Sequence, residues 1–198
     1  MNATSMTMPG QEFKWELPLR GYVAMFALIA AEVAIFAIFV VAYLFYLDKS
    51  LTGPTPKEVL DVPIFYTICL LSSSITIHLA VRALRLGNIR GFKARWFATI
   101  ALGAAFLYGT AHEWHRLIYQ DGLTISTNLF GTTYYSLVGL HGFHVVVGFI
   151  CLSTVMAFAL LGDVQQQHSY RIDVLSLYWH FVDVVWIVVF TVVYIIGR

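Results

Sequence analysis

The chain has 198 residues, of which 59% are hydrophobic and only 12% charged, and its formal net charge is +1. Soluble domains are roughly half apolar and about a quarter charged, so this composition excludes an ordinary soluble domain, and the near-neutral balance gives no footing for a nucleic-acid partner. What remains is a protein that lives in a membrane.

Residues 1–18 are polar, carry Glu12, Lys14 and Glu16, and lack the apolar core of a cleaved signal. This segment is expected to stay in the cytoplasm, with the first span acting as its own insertion signal. Five apolar stretches follow, at 19–46, 62–83, 96–119, 131–161 and 174–196, and each clears the roughly 20 residues a helix needs to cross the hydrocarbon core. Lipid offers no partner to backbone N–H and C=O groups, and the alternation of a closed barrel is missing, so the stretches must be helical. The expected fold is therefore an all-α membrane protein. Five transmembrane helices form one antiparallel bundle over 19–198, and the short links leave no room for a soluble domain.

Between the first two spans, Thr55-Pro-Lys-Glu58 reads as a helix start: Thr55 as N-cap, Pro56 at the first helical position, and Glu58 reaching back in a capping box. Pro63 suits the first turn of the second span. The next link carries Arg82, Arg85, Arg90, Lys93 and Arg95 with no acidic residue between them. Placing it in the cytoplasm puts eight basic residues inside and four outside, which sets the amino terminus inside and the carboxyl terminus outside. Arg82, Arg85 and Arg90 are also candidate contacts for anionic lipid phosphates. Trp15, Trp96 and Trp179 on the inner side, and Tyr119, Tyr134 and Tyr194 on the outer, are expected at the interfaces.

An ionised group at span centre costs about 2.5–3.5 kcal/mol on the insertion scale, so polar residues inside the spans carry the most information. Glu32 falls mid-way along the first span. Ser72, Ser73, Ser74, Thr76 and His78 lie in the second and read as packing residues. The third ends in His112-Glu-Trp-His-Arg116, which lacks the His-Glu-x-x-His spacing of a zinc hydrolase and suits an interfacial cap with a Glu113–Arg116 pair. In the fourth, His141 and His144 stand one turn apart, with Gly139, Gly142 and Gly148 permitting close helix approach. His180 and Asp183 share a face of the fifth, free to pair with each other or with the next helix. Similar depth makes Glu32, His144, His180 and Asp183 candidates for a single polar cluster packing spans one, four and five. Cys69 and Cys151 read as small hydrophobes, and no metal site or catalytic residue is expected.

Two classes of function fit such a chain. One is a haem b membrane anchor, which needs histidines on opposite sides of an iron, a geometry that His141 and His144 on one face do not supply. The other is a cofactor-free subunit whose polar groups organise helices, lipid or protons.

Five blocks carry a resemblance: the segment around Glu32, Leu70-Leu-Ser-Ser-Ser-Ile-Thr, Gly131-Thr-Thr-Tyr-Tyr, His141-Gly-Phe-His-Val-Val-Val-Gly and Tyr178-Trp-His-Phe-Val-Asp-Val-Val-Trp. From Gly21 to Gly197 the chain resembles subunit III of the haem-copper terminal oxidases, in the short five-span bacterial form that includes bo-type quinol oxidases. The resemblance implies a subunit without redox centres in the bacterial inner membrane. Its implied partners are the catalytic subunit I, which holds haem and copper, subunit II and a small subunit IV. The complex reduces oxygen to water and pumps protons, and subunit III sustains proton uptake and turnover lifetime. Glu32 matches the family's carbodiimide-reactive glutamate; Glu113, His141, His144, His180 and Asp183 match its other intramembrane polar positions, and Asp173 stands where the long form commonly has Glu. The family's lipid cleft uses two further helices that this chain lacks, so phospholipid binding there would need helices from elsewhere. A component of a nitric oxide reductase is the competing assignment.

Overall fold

The computed structural model describes residues 20–50 and 53–198. The polar segment 1–18, with Lys14 and Trp15, lies outside the described residues, as do Leu19 and Thr52. The described residues fold into α1 (Arg20–Tyr46), the single turn α2 (Pro56–Val59), α3 (Ile64–Arg85), α4 (Ile89–Tyr119), α5 (Leu129–Leu161) and α6 (Ser169–Phe190). A 3₁₀ turn (Gln166–His168) leads into α6, and a wider π turn (Thr191–Ile196) prolongs it. No strand occurs among the described residues.

Local chemistry sets the breaks. At the end of α3, Gly87 takes φ +74°, the amides of Gly87 and Asn88 donate back to Leu84 and Ala83 at 3.0 and 2.9 Å, and the Asn88 side chain accepts from Gly91 N–H at 2.8 Å. One helix is closed and the next opened within three residues. Helix α4 consequently begins at Ile89 rather than near residue 96, and Arg90, Lys93 and Arg95 are helical rather than part of a link. Asn128 caps α5 in the same way, accepting from Gly131 N–H at 2.8 Å, and Gly162 ends that helix at φ +93°. The capping box before α2 is present, with Thr55 N–H donating to Glu58 at 2.9 Å. It starts only one turn, and Pro63 stands just before α3 instead of inside its first turn.

Cross-contacts fix the packing. Tyr66 lies against Gly109 while Arg95 reaches the Leu79 carbonyl, so α3 and α4 run antiparallel. Trp96 donates to the Leu152 carbonyl and Trp114 meets Tyr135 at the other end, making α4 and α5 antiparallel too. Helices α1 and α6 are parallel: Gly21 abuts Tyr170 at one end and Tyr43 abuts Gly197 at the other. The neighbours close a ring, α1–α5–α4–α3–α6 and back to α1, crossed by the α5–α6 contact.

At the centre is Trp179. Its ring is wedged between Gly148 of α5 and Gly103 of α4, where an added Cβ would come within 2.8 and 3.1 Å of it, and its Nε1 donates to Ser73 of α3 at 2.8 Å. Four helices thus converge on one side chain. Trp96 and Trp179 are 0% and 1% exposed, and Tyr134 and Tyr194 are equally buried. These four are core residues and not interfacial belts as expected, because each polar tip finds a partner inside the bundle; among the described members of that set, Tyr119 alone is exposed. Of the three glycines expected to admit a neighbour, Gly148 does, Gly139 makes ordinary contact with Trp114, and Gly142 faces open space.

By length and apolarity, α1, α3, α5 and the stretch Gln166–Ile196 qualify as membrane-crossing helices. Helix α4 has 31 residues, about 46 Å at the usual rise, but Arg90, Lys93 and Arg95 at one end and His112, Glu113, His115 and Arg116 at the other dilute its apolar centre. Seven of the basic residues, Arg20, Arg82, Arg85, Arg90, Lys93, Arg95 and Arg171, collect at one end of the bundle; Lys49, Lys57, Arg116 and Arg198 occupy the opposite end.

Candidate functional site

The expected single cluster of Glu32, His144, His180 and Asp183 is instead divided between two helix seams, because residues at one depth on neighbouring helices need not point toward the same axis. At the α1–α5 seam, Glu32 Oε2 lies 3.0 Å from His144 Nε2, and His144 Nδ1 lies 2.7 Å from the Leu140 carbonyl. A carbonyl only accepts, so Nδ1 carries the proton that bonds it. Phe36, also on α1, rests on the His144 ring at 5.1 Å. Glu32 thus meets span four as expected.

At the α3–α6 seam, Ser74 serves both titratable groups of α6. Its Oγ stands 2.9 Å from His180 Nδ1 and donates to Asp183 Oδ2. Asp183 is 3% exposed. His180 and Asp183 therefore meet through a hydroxyl on span two, not by contacting each other or spans one and four. Ser74 was expected only to pack. A run of three serines does not reveal which of them faces a carboxylate one helix away.

His141 and His144 diverge, as two residues three apart on a helix differ by about 60° in direction. His141 is 1% exposed, stacks on Trp186 at 5.0 Å and has Phe106 edge-on at 5.9 Å. Neither ring nitrogen has a partner among the described residues. Trp186 covers one face of His141 and Phe106 meets it edge-on, whereas His144 engages both of its nitrogens within the chain.

A third polar contact closes the end opposite the basic one. Tyr194, in the π turn, places its hydroxyl 3.0 Å from both oxygens of Glu113 and 3.4 Å from the Tyr134 hydroxyl. The expected Glu113–Arg116 pair does not form. Arg116 turns to Asp61, to the Val59 carbonyl at 2.8 Å and to Asp121 at 3.7 Å, tying α4 to the loop after α2. His112 and His115 are exposed. A cavity of about 220 Å³ lies beside His112 and Glu113, walled by Asp61, Tyr66 and Arg116.

At the basic end, Asp173 of α6 accepts from Tyr22 of α1 and pairs with Arg85 of α3 at 2.6 Å. Spacing gave no sign of Tyr22, since its partner is 151 residues away. Arg85 is thereby engaged within the chain, whereas Arg82 and Arg90 are exposed and make no ion pair among the described residues. No group of three or more His, Cys, Asp or Glu among the described residues could hold a metal ion.

Glu32, Glu113, His144, His180 and Asp183 are thus each bonded to a side chain of another element. The family model for cytochrome c oxidase subunit III matches residues 19–198. The chain belongs to the cytochrome c oxidase subunit III family. Its relatives include cytochrome c oxidase subunit 3 of Alkalihalophilus pseudofirmus, 34% identical over 85% of this chain and 83% of the relative. Cytochrome bo(3) ubiquinol oxidase subunit 3 of Pseudomonas aeruginosa is 36% identical over 84% and 80%, and quinol oxidase subunit 3 of Bacillus subtilis 30% over 94% and 92%. Membership in this family makes the chain a membrane-embedded component of an oxidase complex. Every seam contact described above lies within the region that the subunit III family model covers.

Proposed function

We propose that this chain is the non-redox subunit III of a bacterial haem-copper respiratory oxidase, spanning the inner membrane five times as one domain over 19–198. The basic end lies in the cytoplasm, so the amino terminus is inside and the carboxyl terminus outside. The chain supports the stability and proton uptake of a catalytic subunit I that carries haem and copper, reduces oxygen and translocates protons, with subunit II and a small subunit IV as further partners. It holds no redox cofactor itself. Arg82 and Arg90, exposed at the basic end, take anionic phospholipid phosphates.

The observation that carries this reading is the disposition of the intramembrane charges. Glu32, Glu113 and Asp183 each accept from, or pair with, a side chain of another helix, which ties the helices together. The test is to purify the complex with Glu32→Ala or Asp183→Ala and measure subunit retention, thermal stability and the fall of oxygen consumption with turnover. Supporting results are earlier loss of this chain and faster decline of activity with the haem spectrum unchanged. Retention, stability and turnover lifetime equal to wild type in both variants would overturn the reading. Nitric oxide consumption in place of oxygen consumption by the purified complex would move it to a reductase.

A further inference from the structure

Helix α6 is the most buried of the membrane-crossing helices, yet one strip of it faces out. His180 is half-buried, and Val184, Ile187 and Val188 are 59, 49 and 45% exposed; with Thr191 they repeat every three or four residues, a single stripe between α1 and α3. An apolar stripe would need no explanation in lipid. His180 does. It is the twelfth residue of α6, about 16 Å along the helix, so its imidazole sits at mid-membrane depth.

The hydrogen bonds at the seam settle which of its nitrogens is spoken for. Ser74 has one hydroxyl proton and gives it to Asp183, so the 2.9 Å contact to His180 Nδ1 must be donated by the imidazole. In the neutral ring this leaves Nε2 as a bare acceptor, with no partner among the described residues. On the α3 side of the stripe, His78 follows Ser74 by one turn, is exposed and has no hydrogen bond among the described residues. Polar side chains inside the hydrocarbon face protein, water or a counter-group, not acyl chains. On the α1 side, a wholly apolar groove of about 350 Å³ runs between Val33, Phe36, Ala37 and Val40 of α1 and Val184 and Val188 of α6. A surface that is polar along one edge and grooved along the other matches one side of a helix: hydrogen-bonding group on one flank, apolar side chains on the other.

We infer that the α3–α6–α1 face is where a membrane-spanning helix of a partner oxidase subunit docks, presenting a hydrogen-bond donor to His180 Nε2 and seating apolar side chains in the α1–α6 groove. This rests on the chain working within an oxidase complex. Lipid is the weaker occupant, because acyl chains would fill the groove but leave Nε2 and His78 unpartnered.

The test uses the intact complex with a photo-reactive side chain at Val184, and at Ile150 on the exposed side of α5 as comparison. The expected adduct at 184 is a spanning segment of a co-purifying oxidase subunit, identified by mass spectrometry, with lipid as the adduct at 150. Phospholipid alone or a second copy of this chain at 184 overturns the inference. His180→Asn and His180→Gln separate the two sides of the ring, since Asn reaches the Nδ1 position and keeps Ser74 bonded while Gln reaches the Nε2 position. His180→Asn should leave the thermal stability of the chain intact and weaken its retention in the complex about three- to tenfold, the range of interhelical hydrogen bonds in membranes. His180→Gln should retain more. Equal retention in wild type and both variants overturns the inference. If the wild-type chain co-purifies with no oxidase subunit, the underlying oxidase reading has failed instead, which the wild-type control shows separately.

Discussion

Helices α1 and α6 lie side by side, run in the same direction and are both long and apolar, yet over their best 18-residue windows α1 is 6% buried and α6 56%. The difference lies in how they are held. Helix α6 is fixed by packing along most of its length, with Trp179, Trp186 and Tyr194 all enclosed and each bonded to another helix. Helix α1 is fixed at points: Tyr22 to Asp173 near its start, Glu32 to His144 at its middle, and Tyr43 buried against Gly197 at its end. In lipid an apolar surface gains nothing by leaving the solvent, so helix association depends on close packing and on a few polar contacts. The two helices use these in opposite proportion.

The contrast can be broken most severely at the packed helix. Trp179→Ala removes a fully buried ring that touches three neighbouring helices and should destabilise the fold by about 3–5 kcal/mol, read as a large drop in the thermal midpoint of the detergent-solubilised protein. Gly148→Val, which drives a branched side chain into the same ring, should cost about 1–3 kcal/mol. A loss under half a kcal/mol in both would mean that Trp179 is not the keystone of α6.

The point-fastened helix should respond to one polar substitution. Glu32→Ala removes the α1–α5 bond and leaves His144 Nε2 bare, so it should cost about 1–2 kcal/mol and raise protease access at the α1–α2 loop. Ser74→Ala unfastens His180 and Asp183 together and should cost about as much, but at the α6 seam. A double-mutant cycle of Glu32→Ala with Ser74→Ala should be additive, because the contacts lie on different seams. Strong coupling would restore the single cluster that shared depth suggests.

The smallest expected effect is outside the bundle core. The hydrogen bond from Thr55 N–H holds the Glu58 carboxyl below its ordinary value near 4.5. A depressed folded value means that the contribution of this bond is present above the ordinary carboxylate range and is lost as pH falls through the lowered pKa. Amide exchange at Glu58 and Val59 should therefore speed up on acidification in wild type, relative to Glu58→Gln, and the transmembrane seams should not follow. Exchange ratios that stay flat with pH would remove Glu58 from the account of α2.

Much of the fold is legible in the sequence because lipid is so restrictive a solvent. Apolar runs of sufficient length must be helices, Asn and Gly mark where they stop, and Thr55-Pro-Lys-Glu58 announces its own cap. The polar residues within the runs are equally visible, since each is costly where it stands. Their partners are not. Glu32 and His144 are 112 residues apart and Ser74 and Asp183 are 109, and nothing in local spacing distinguishes Ser74 from Ser72 and Ser73, or shows that Arg116 prefers Asp61 to Glu113 one turn away. Trp96, Trp179, Tyr134 and Tyr194 look like interfacial residues because their composition suits both an interface and a satisfied core position.

The sequence by itself therefore determined the solvent, the helical class, the positions of the intramembrane polar groups and, through their wording, the family. Only the tertiary structure decided which group meets which. The rotation of each helix about its axis is set by side chains on its neighbours, here by the fit of Trp179 between Gly103 and Gly148, and a one-dimensional pattern of apolar residues leaves that rotation undetermined.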